Sequence, residues 1–340
     1  MAQAKRIVLA SRPAGEPKLS DFRLEDYAVP TAGDGEVLLR TIWLSLDPYM
    51  RGRMSDAASY AQPVPIGGVM EGGTVCGVIA SNNPGFAKGD IVLARAGWQT
   101  HELSDGKGLR KIDPALGPVQ TAVGVLGMPG MTAYTGLLDI GQPREGETVV
   151  VAAASGAVGS AVGQIAKLKG ARAVGIAGGK DKCEHVVKEL GFDAYVDHRD
   201  PDLAAKLKEA CPKGIDVYFE NVGGAVFEAV FPLLNPFARM PVCGLIAHYN
   251  DTSAVAPKWA ASMMRNVLTK RLTIRGFIVS DFAARHGDFL RDMSGWVREG
   301  KVKYKEFVSE GLDSAPEAFI GLLKGGNFGK QLVRVGPDKA

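Results

Sequence analysis

The sequence predicts an α/β protein in which a doubly wound parallel sheet is joined to a second, β-rich domain. The chain of 340 residues is longer than one hydrophobic core usually serves. Its first third consists of short β-branched segments separated by glycine and proline, and from Thr148 onward apolar strands alternate with amphipathic helices. We expect a β-rich domain over residues 1–122, an α/β domain over 123–300 and a C-terminal return to the first domain over 301–340.

The composition indicates a globular protein that works in a reducing compartment. Hydrophobic residues make up 46% of the chain, charged residues 23%, and the net charge is +3, which is too diffuse for nucleic-acid binding. The cysteines are too far apart for a Cys-x-x-Cys pair or a disulfide framework: Cys76, Cys183, Cys211 and Cys243. We therefore expect a cytoplasmic protein that binds no nucleic acid.

No membrane span or signal peptide is expected. The first 22 residues contain only the short apolar run Ile7–Ala10, too short for a signal sequence. The uncharged stretches 121–138 and 148–166 approach the length of a membrane span, but small polar residues and Pro129 interrupt them. Both stretches are interpreted as buried structure of a protein without a membrane partner.

The two ends of the chain are expected to form the β-rich domain. The segments "EVLLRTIWLSL", "GGTVCGVIAS" and "DIVLARAGW" predict a partly open antiparallel barrel. The C-terminal segment "GWVREGKVKYKEFVSEGLDSAPEAFIGLLKGGNFGKQLVRV" predicts hairpin-like strands and one helix that rejoin this domain.

Between them, a strand-helix alternation predicts the parallel sheet. The expected strands are 148–153, 172–177, 194–197, 216–220, 239–245 and 272–279. The first connecting helix has an apolar stripe at helical spacing, formed by Val158, Val162, Ile165 and Leu168. Its opposite face, expected to point outward, carries Gln164, Lys167 and Lys169.

The segment "AAASGAVGSAVG" predicts a dinucleotide-binding turn. Ala154, Gly156 and Gly159 have the spacing of the glycine fingerprint, and Gly163 follows one helical turn later. Small residues let the backbone approach a pyrophosphate, and the helix N-terminus supplies N–H groups and a positive dipole. The alternative is a helix whose small residues serve packing without a ligand.

The end of the second strand indicates which dinucleotide binds. A carboxylate at this position binds the ribose hydroxyls of NAD, but the strand here ends in Ala177-Gly178-Gly179 and is followed by Lys180 and Lys182. A lysine favours the 2'-phosphate of NADP. We therefore expect NADP(H), held by Lys182, against the alternative that both lysines are solvated surface residues.

Several longer motifs resemble one enzyme family over essentially the whole chain. These are "GGTVCGVIASNNPGFAKGDIV", "GMPGMTAYTGLLDIGQPREGETVVV", "ENVGG", "DPYMRGRMSD", "AGGKDKCEHVVKELGFDAYVDHR", "CGLIAHYN" and "GGNFGKQLVRV". The chain resembles the zinc-independent alkenal/one reductase branch of the medium-chain dehydrogenase/reductase superfamily. The resemblance implies a Rossmann-type nucleotide domain and a GroES-like β-rich domain.

The resemblance also implies that no metal takes part. Zinc-dependent members of the superfamily would place a cysteine ligand near Asp47 and a Gly-His-Glu motif near Met70-Glu71, and neither is present. Catalytic zinc needs three protein ligands, whereas this half of the chain has one cysteine and one histidine, His101, without motif spacing.

The resemblance implies several groups of site residues. At the pyrophosphate the implied contacts are Ser155, Gly156, Ala157 and Val158, with Gly159 next to them in the cofactor-binding set, and Asn221, after the fourth strand, is a further nucleotide contact. The residues implied around the nicotinamide end are Cys243, Gly244, Leu245, Tyr249, Phe277, Ile278, Val279 and Asn327. At the 2'-phosphate, Lys182 is joined by His198, where many relatives have tyrosine, with Arg199 nearby; the alternative for His198 is a turn residue that ends the third strand.

The implied reaction is NADPH-dependent reduction of the carbon–carbon double bond of α,β-unsaturated aldehydes or ketones. It needs a donor for the developing enolate oxygen, and the candidates are Tyr249, Tyr49 and the cofactor's ribose hydroxyl. Tyr249 is preferred because it follows the fifth strand, at the edge where open sheets bind ligands. Arg51 and Arg53 either bind an anion or serve structure. The alternative functions are a quinone reductase and a non-catalytic NADPH-binding sensor or structural protein.

Two further expectations concern the partner and the pocket. The segment "KRLTIRGFIVSD" predicts an edge strand at the end of the sheet, which favours pairing in a homodimer. Residues 55–66 and 247–262 are expected to shape the substrate pocket, so the sequence alone does not name the natural substrate.

Overall fold

The structure of the chain is a computed structural model that describes residues 3–251 and 260–337. Two compact units divide it: one runs to Gly124 and resumes at Glu306, and the other is Val125–Lys305. The strands are β1 Gln3–Leu9, β2 Phe22–Ala28, β3 Val37–Ser45, β4 Thr74–Ser81, β5 Ile91–Ala94, β6 His101–Ser104, β7 Arg110–Lys111, β8 Thr148–Ala152, β9 Arg172–Ala177, β10 Ala194–Asp197, β11 Ile215–Phe219, β12 Leu234–Val242, β13 Thr273–Gly276, β14 Glu306–Glu310 and β15 Lys330–Arg334. The α-helices are α1 Met50–Arg53, α2 Met128–Thr135, α3 Gly159–Leu168, α4 Lys180–Lys188, α5 Leu203–Ala210, α6 Gly224–Val230, α7 Ala260–Lys270, α8 His286–Arg298 and α9 Ala315–Leu323.

The α/β unit contains a parallel sheet of the predicted kind. Its strand order among the described residues is β10-β9-β8-β11-β12-β13, and every neighbouring pair runs parallel. The central strand β8, "TVVVA", is fully buried because helices cover both faces of such a sheet. The strand order reverses between β8 and β11, which creates the crevice at the carboxyl ends of the strands where ligands bind. The predicted α/β fold class is confirmed.

Helix α3 differs from the prediction at two positions, Gln164 and Leu168. Val162 and Ile165 are buried as expected, but Gln164 is also buried, whereas Leu168 is exposed. The Gln164 amide donates to the carbonyl of Lys303 and accepts from its N–H, both at 2.8 Å. The prediction that Gln164 faces outward was wrong because the segment after α8 passes over this face of the helix.

The β-rich unit contains a mostly antiparallel sheet. The strand order is β14-β15-β3-β4-β5-β7, with β6 paired to β3, and β1 and β2 form a separate antiparallel pair. Strand β15 pairs antiparallel with β3, so the C-terminal segment completes the sheet begun by the N-terminal one. The core of the β-rich unit includes Trp98. The ring of Trp98 stacks on that of Phe22, with ring centres 5.5 Å apart, and meets the ring of Phe319 of α9 edge-on, with ring centres 5.7 Å apart.

The predicted hairpin at the C-terminus was wrong. Strands β14 and β15 run parallel, with Glu306 opposite Lys330 and Glu310 opposite Arg334. Helix α9 lies between them in the chain, and a parallel pair needs such a crossover connection.

The cysteines form no disulfide, and Cys76, Cys183 and Cys211 are buried. Among the residues described, no helix combines the length and the apolar character needed to cross a bilayer.

Candidate cofactor and active site

The glycine turn between β8 and α3 is tightly packed. A Cβ on Gly159 would lie 2.3 Å from the carbonyl oxygen of Ala153, and one on Gly163 would lie 1.8 Å from the ring of Phe192. Ala153 itself has a φ of 52°, in the left-handed region that non-glycine residues rarely adopt. Gly156 donates its N–H to the Ala153 carbonyl at 2.9 Å, which closes the turn. The packing fits the cradle of a pyrophosphate at the start of a helix.

A second turn follows β9 and lies beside the end of β10. We call the segments Gly178–Lys182 and Asp197–Arg199 together the phosphate turn. Gly179 has a φ of 88°, which favours glycine. A Cβ on Gly178 would lie 2.5 Å from Nε2 of His198 and 3.3 Å from Nε of Arg199. The two glycines therefore let the side chains of His198 and Arg199, which follow β10, approach the end of β9.

The phosphate turn brings cationic side chains together. Burial lowers the pKa of Lys182, and the charge of Arg199 lowers it further. Desolvation lowers the pKa of His198, with Arg199 and Lys182 acting in the same direction against the charge of Asp197. The positive charges of Lys182 and Arg199 repel each other, and a bound dianion would offset this repulsion. By contrast, Lys180 is 82% exposed and lies 3.8 Å from Glu184.

Asp197 is a residue of this turn that sequence reasoning missed. Its carboxylate accepts the N–H of Gly179 at 3.0 Å and the N–H of Arg199 at 2.9 Å. Burial raises the pKa of Asp197, but these hydrogen bonds and the neighbouring cations outweigh it and lower the pKa overall. Asp197 therefore holds both segments in place through the backbone. The only feature of the sequence that could have indicated this role is the position of Asp197 at the end of β10, the third strand of the parallel sheet.

Two loops meet at the carboxyl ends of β11 and β12. We call Glu220–Gly224 and Cys243–Asp251 the paired loops. The backbone N–H groups of Cys243 and Gly244 both donate to the carbonyl of Glu220, at 2.9 and 3.2 Å. Nε2 of His248 accepts the N–H of Gly224 at 3.1 Å, and its Nδ1 contacts Asp251 at 2.8 Å. This pattern requires the proton on Nδ1 of His248.

The side chain of Glu220 anchors the first of the paired loops and was not singled out from the sequence. Glu220 is 1% exposed, and its Oε1 accepts the N–H groups of Val222 at 2.6 Å and Gly223 at 2.9 Å. Burial raises the pKa of its carboxyl. The next residue, Asn221, donates from its amide to the carbonyl of Ala152 at 2.8 Å, which ties β11 to the end of β8. Asn221 thus lies next to the glycine turn.

Tyr249 lies on the second of the paired loops, directly after the short 3₁₀ helix Ile246–His248. A Cβ on Gly244 would lie 3.0 Å from the Tyr249 hydroxyl oxygen, so the hydroxyl reaches back over Gly244. Cys243 is half-buried, and burial raises the pKa of its thiol to about 12, which keeps it protonated at neutral pH. Leu245 is 41% exposed.

The segment after β13 places one predicted contact in the core. The ring of Phe277 is buried, meets the ring of Phe219 edge-on at 6.4 Å and leaves no room for a Cβ on Gly136. Ile278 and Val279 follow and are half-buried. Of these three residues, only Ile278 and Val279 keep side-chain surface that a ligand could contact. In the pocket-shaping segment 247–262, residues 252–259 lie outside those described.

Tyr49 lies in the β-rich unit, immediately before α1. Its ring is 5.6 Å from Cζ of Arg53, whose Nε is 3.4 Å from a carboxylate oxygen of Glu71. Burial raises the pKa of Tyr49, and the charges of Asp47 and Glu71 raise it further. Tyr49 therefore stays a protonated hydrogen-bond donor over the physiological pH range.

The arginines beside Tyr49 are engaged by the protein. Arg51 donates to the carbonyl of Gly15 at 2.7 Å, and the Arg53 guanidinium lies 4.4 Å from the ring centre of Tyr60. Both guanidinium groups are buried, which favours their structural role. Asn327, the other predicted site residue of this unit, donates from its amide to the carbonyl of Gly329 at 2.7 Å.

The residues near Asp47 do not fit a zinc centre. Asp47 is paired with the ammonium group of Lys330 at 3.0 Å, and Ser45 donates a hydrogen bond to its other oxygen. Glu71 is paired with Arg53, and across the described part of the chain no group of three potential metal-ligating side chains converges. The donor set that zinc requires is not assembled at this position.

Two protein-family models match the chain. One, described as the N-terminal domain of oxidoreductase, matches residues 5–112, and the other, described as zinc-binding dehydrogenase, matches residues 157–294. Together they cover most of both units.

Several similar proteins match over nearly the whole chain. The NADPH-dependent curcumin reductase of Escherichia coli is 56% identical over 336 residues, which are 98% of this chain and 97% of the relative. Prostaglandin reductase 1 of Bos taurus is 43% identical over 339 residues, 98% of this chain and 100% of the relative. The crystal structure of CurA in complex with NADPH from Vibrio vulnificus is 54% identical, with a TM-score of 0.95 over 98% of this chain and 99% of that one. The chain therefore belongs to the zinc-independent alkenal/one reductase branch of the medium-chain dehydrogenase/reductase family, as its motifs predicted.

Proposed function

We propose that this oxidoreductase reduces the carbon–carbon double bond of α,β-unsaturated aldehydes and ketones with NADPH. The observation that carries the proposal is the full-length identity of 56% to an NADPH-dependent curcumin reductase. Curcumin is a conjugated ketone, so this identity supports a conjugated carbonyl as the class of substrate.

NADP(H), the cofactor predicted from the sequence, is the cofactor of this enzyme, as the NADPH complex of its solved relative supports. The glycine turn, Ser155–Gly159, is proposed to hold the pyrophosphate through backbone N–H groups at the start of α3. In the phosphate turn, Lys182, His198 and Arg199 are proposed to hold the 2'-phosphate. The repulsion between Lys182 and Arg199 favours this assignment, because a dianion offsets it.

Tyr249 is proposed to donate its hydroxyl proton in a hydrogen bond to the substrate's carbonyl oxygen. When bound, the cofactor would supply a hydride from nicotinamide C4 to the β-carbon, and a proton from water would then add to the α-carbon to complete the saturated carbonyl product. As negative charge develops on the carbonyl oxygen, a fixed hydroxyl donor stabilises it by roughly 3 kcal/mol. The paired loops support this role because their hydrogen bonds hold the segment bearing Tyr249. Tyr49, which stays protonated, is the second candidate donor.

We also infer that the working form is a cytoplasmic homodimer. Strand β13 ends the parallel sheet among the described residues, and only β12 pairs with it there. An edge of this kind favours pairing across a two-fold axis. The free thiols support a reducing compartment. Light scattering at micromolar concentration should give twice the chain mass of 36.0 kDa, and a monomeric mass would contradict the dimer.

Steady-state rates on matched substrates test the function. With NADPH, but-3-en-2-one should be reduced, whereas butan-2-one, which lacks the double bond, should not be. Faster turnover of 1,4-benzoquinone than of any enone would instead assign the protein as a quinone reductase. Tight NADPH binding without turnover on either class would indicate a non-catalytic binding protein.

A further inference from the structure

A buried ion pair in the β-rich unit takes no part in the chemistry proposed above. Lys330 is 4% exposed and Asp47 is 6% exposed. Nζ of Lys330 lies 3.0 Å from Oδ1 of Asp47 and donates to the carbonyl of Leu46 at 2.6 Å. The hydroxyl of Ser45 donates to the second carboxylate oxygen. Both charges are thus removed from solvent and satisfied by each other and by nearby polar groups.

Stability alone does not account for such a pair. Removing two charges from water costs several kcal/mol per ion, and well-packed apolar residues in their place are often equally stable or more stable. The partners are 283 residues apart in sequence, one after β3 and the other at the first position of β15. The backbone is already joined there, since Leu46 donates its N–H to the carbonyl of Gln331 at 3.3 Å.

The pair connects two segments that carry proposed site residues. The carbonyl of Asp47 accepts the N–H of Met50 at 3.1 Å, which fixes the turn that contains Tyr49. Lys330 directly follows Gly329, whose carbonyl accepts the side-chain amide of Asn327. Each partner is therefore within three residues of a proposed contact.

We propose that Asp47 and Lys330 are positioning residues that hold the Tyr49 segment and the Asn327 segment together as one rigid part of the site. This inference rests on the proposed function, because both segments are assigned to the site by it. The pair acts through the segments and touches neither substrate nor cofactor.

The surroundings of Lys330 determine which variants are informative. Glu306 has one buried oxygen without a partner, and although burial raises its pKa, the charge of Lys330 acts to lower it. Removal of Lys330 alone would leave the buried Asp47 carboxylate uncompensated, which strongly destabilises a protein. The double variant Asp47→Asn/Lys330→Met removes both charges and keeps similar side-chain volumes, so it is the main test.

The double variant should fold and lose at most a few-fold in NADPH affinity, because the glycine turn and the phosphate turn lie in the other unit and only the proposed contact at Asn327 is disturbed. Its single-turnover rate with but-3-en-2-one should fall about tenfold or more, and KM should change less than kcat. Hydrogen exchange should rise together in peptides covering residues 45–52 and 325–331. The matched control is Lys324→Met, which removes an exposed ion pair with Glu16, 3.2 Å long, and should leave both measurements unchanged.

Each outcome decides between the alternatives. A folded double variant with wild-type turnover, or with increased exchange in only one segment, overturns the inference. If the wild-type protein itself fails to reduce enones, the proposed function fails, and the exchange measurement alone then decides whether the pair links the segments. If the double variant does not fold, Lys330→Arg replaces it: this variant keeps both charges but changes the contacts of the cation with Asp47 and Leu46, and wild-type turnover and exchange in it would reject the positioning role.

Discussion

The phosphate turn follows the neighbouring strands β9 and β10, and the paired loops follow the neighbouring strands β11 and β12 of the same parallel sheet. The interactions within these two regions differ. In the phosphate turn, the side chains of His198 and Arg199 lie close to two glycines, and burial together with the charge of Arg199 lowers the pKa of Lys182. In the paired loops, backbone hydrogen bonds dominate, and the anchoring side chain, Glu220, is 1% exposed. The first region brings positively charged side chains close to one another, whereas the second is held by hydrogen bonds among its own groups.

This difference separates two functions within one fold. A region of clustered cations should control how tightly a phosphate binds, and hence which cofactor is chosen. A region of internal hydrogen bonds should control where a catalytic hydroxyl lies, and hence the rate of the reaction. Substitutions in the two regions should therefore change different measured quantities.

The largest effect is expected in the paired loops, from Tyr249→Phe. This change keeps the ring but removes the hydroxyl, so the single-turnover rate of NADPH oxidation with an enone should fall roughly 10²-fold, mainly in kcat. NADPH affinity should change little. Tyr195→Phe, at a 43% exposed tyrosine of β10, is the matched control and should keep the wild-type rate. An unchanged rate in Tyr249→Phe would transfer the donor role to Tyr49 or to the cofactor's ribose hydroxyl.

The next largest effect is expected in the phosphate turn, from Lys182→Ala. Loss of a charge-assisted contact with the 2'-phosphate should weaken NADPH binding by roughly 1.5–3 kcal/mol, or about ten- to a hundredfold, while NADH binding stays nearly the same. Titration calorimetry with both cofactors measures the difference. Lys180→Ala, two residues away and mostly exposed, should leave both affinities unchanged. Equal weakening of both cofactors by Lys182→Ala would mean that the lysine supports the fold instead.

A smaller effect, a few-fold loss of NADPH affinity, is expected for His198→Gln, and it has a pH signature. Desolvation lowers the pKa of His198 in the free protein, and a bound phosphate dianion would raise it. A ligand that raises a pKa binds with proton uptake, so the histidine's contribution to NADPH affinity grows as the pH falls through the pKa of the complex. Calorimetry in buffers of different ionisation enthalpy measures that uptake near pH 7. Equal uptake in wild type and variant would show that His198 does not reach the phosphate.

No effect is expected from metal removal. Activity should survive exhaustive chelation, and metal analysis should find no stoichiometric zinc, because the residues near Asp47 are engaged in ion pairs and hydrogen bonds. One zinc per chain together with chelator-sensitive turnover would reject the metal-independent account.

The same contrast explains what the sequence could predict. Gly178, Gly179 and Lys182 are close together in the chain, so the first segment of the phosphate turn could be predicted from a short motif and the strand before it. The sheet was predictable as well, because each strand and helix repeats a local pattern. Both depend on interactions of short range along the chain.

Long-range contacts could not be predicted. Asp47 and Lys330 are 283 residues apart, and no sequence pattern in either segment indicates that the two side chains form a pair. The helical pattern placed Gln164 on the outward face. The prediction failed because the burial of Gln164 depends on the backbone of Lys303, which belongs to a distant segment. The parallel arrangement of β14 and β15 likewise depends on how α9 crosses between them, whereas the apolar pattern of the two strands fits either direction.

The most direct test of the account follows the hydride into the product. The enzyme is supplied with but-3-en-2-one and with NADPH deuterated at the transferred position of C4, and the product is analysed by NMR. If the hydride is transferred to the β-carbon, the product is butan-2-one with one deuterium on the former β-carbon and none on the carbonyl carbon. Formation of but-3-en-2-ol with deuterium on the carbinol carbon, or consumption of NADPH without a saturated ketone, would contradict it.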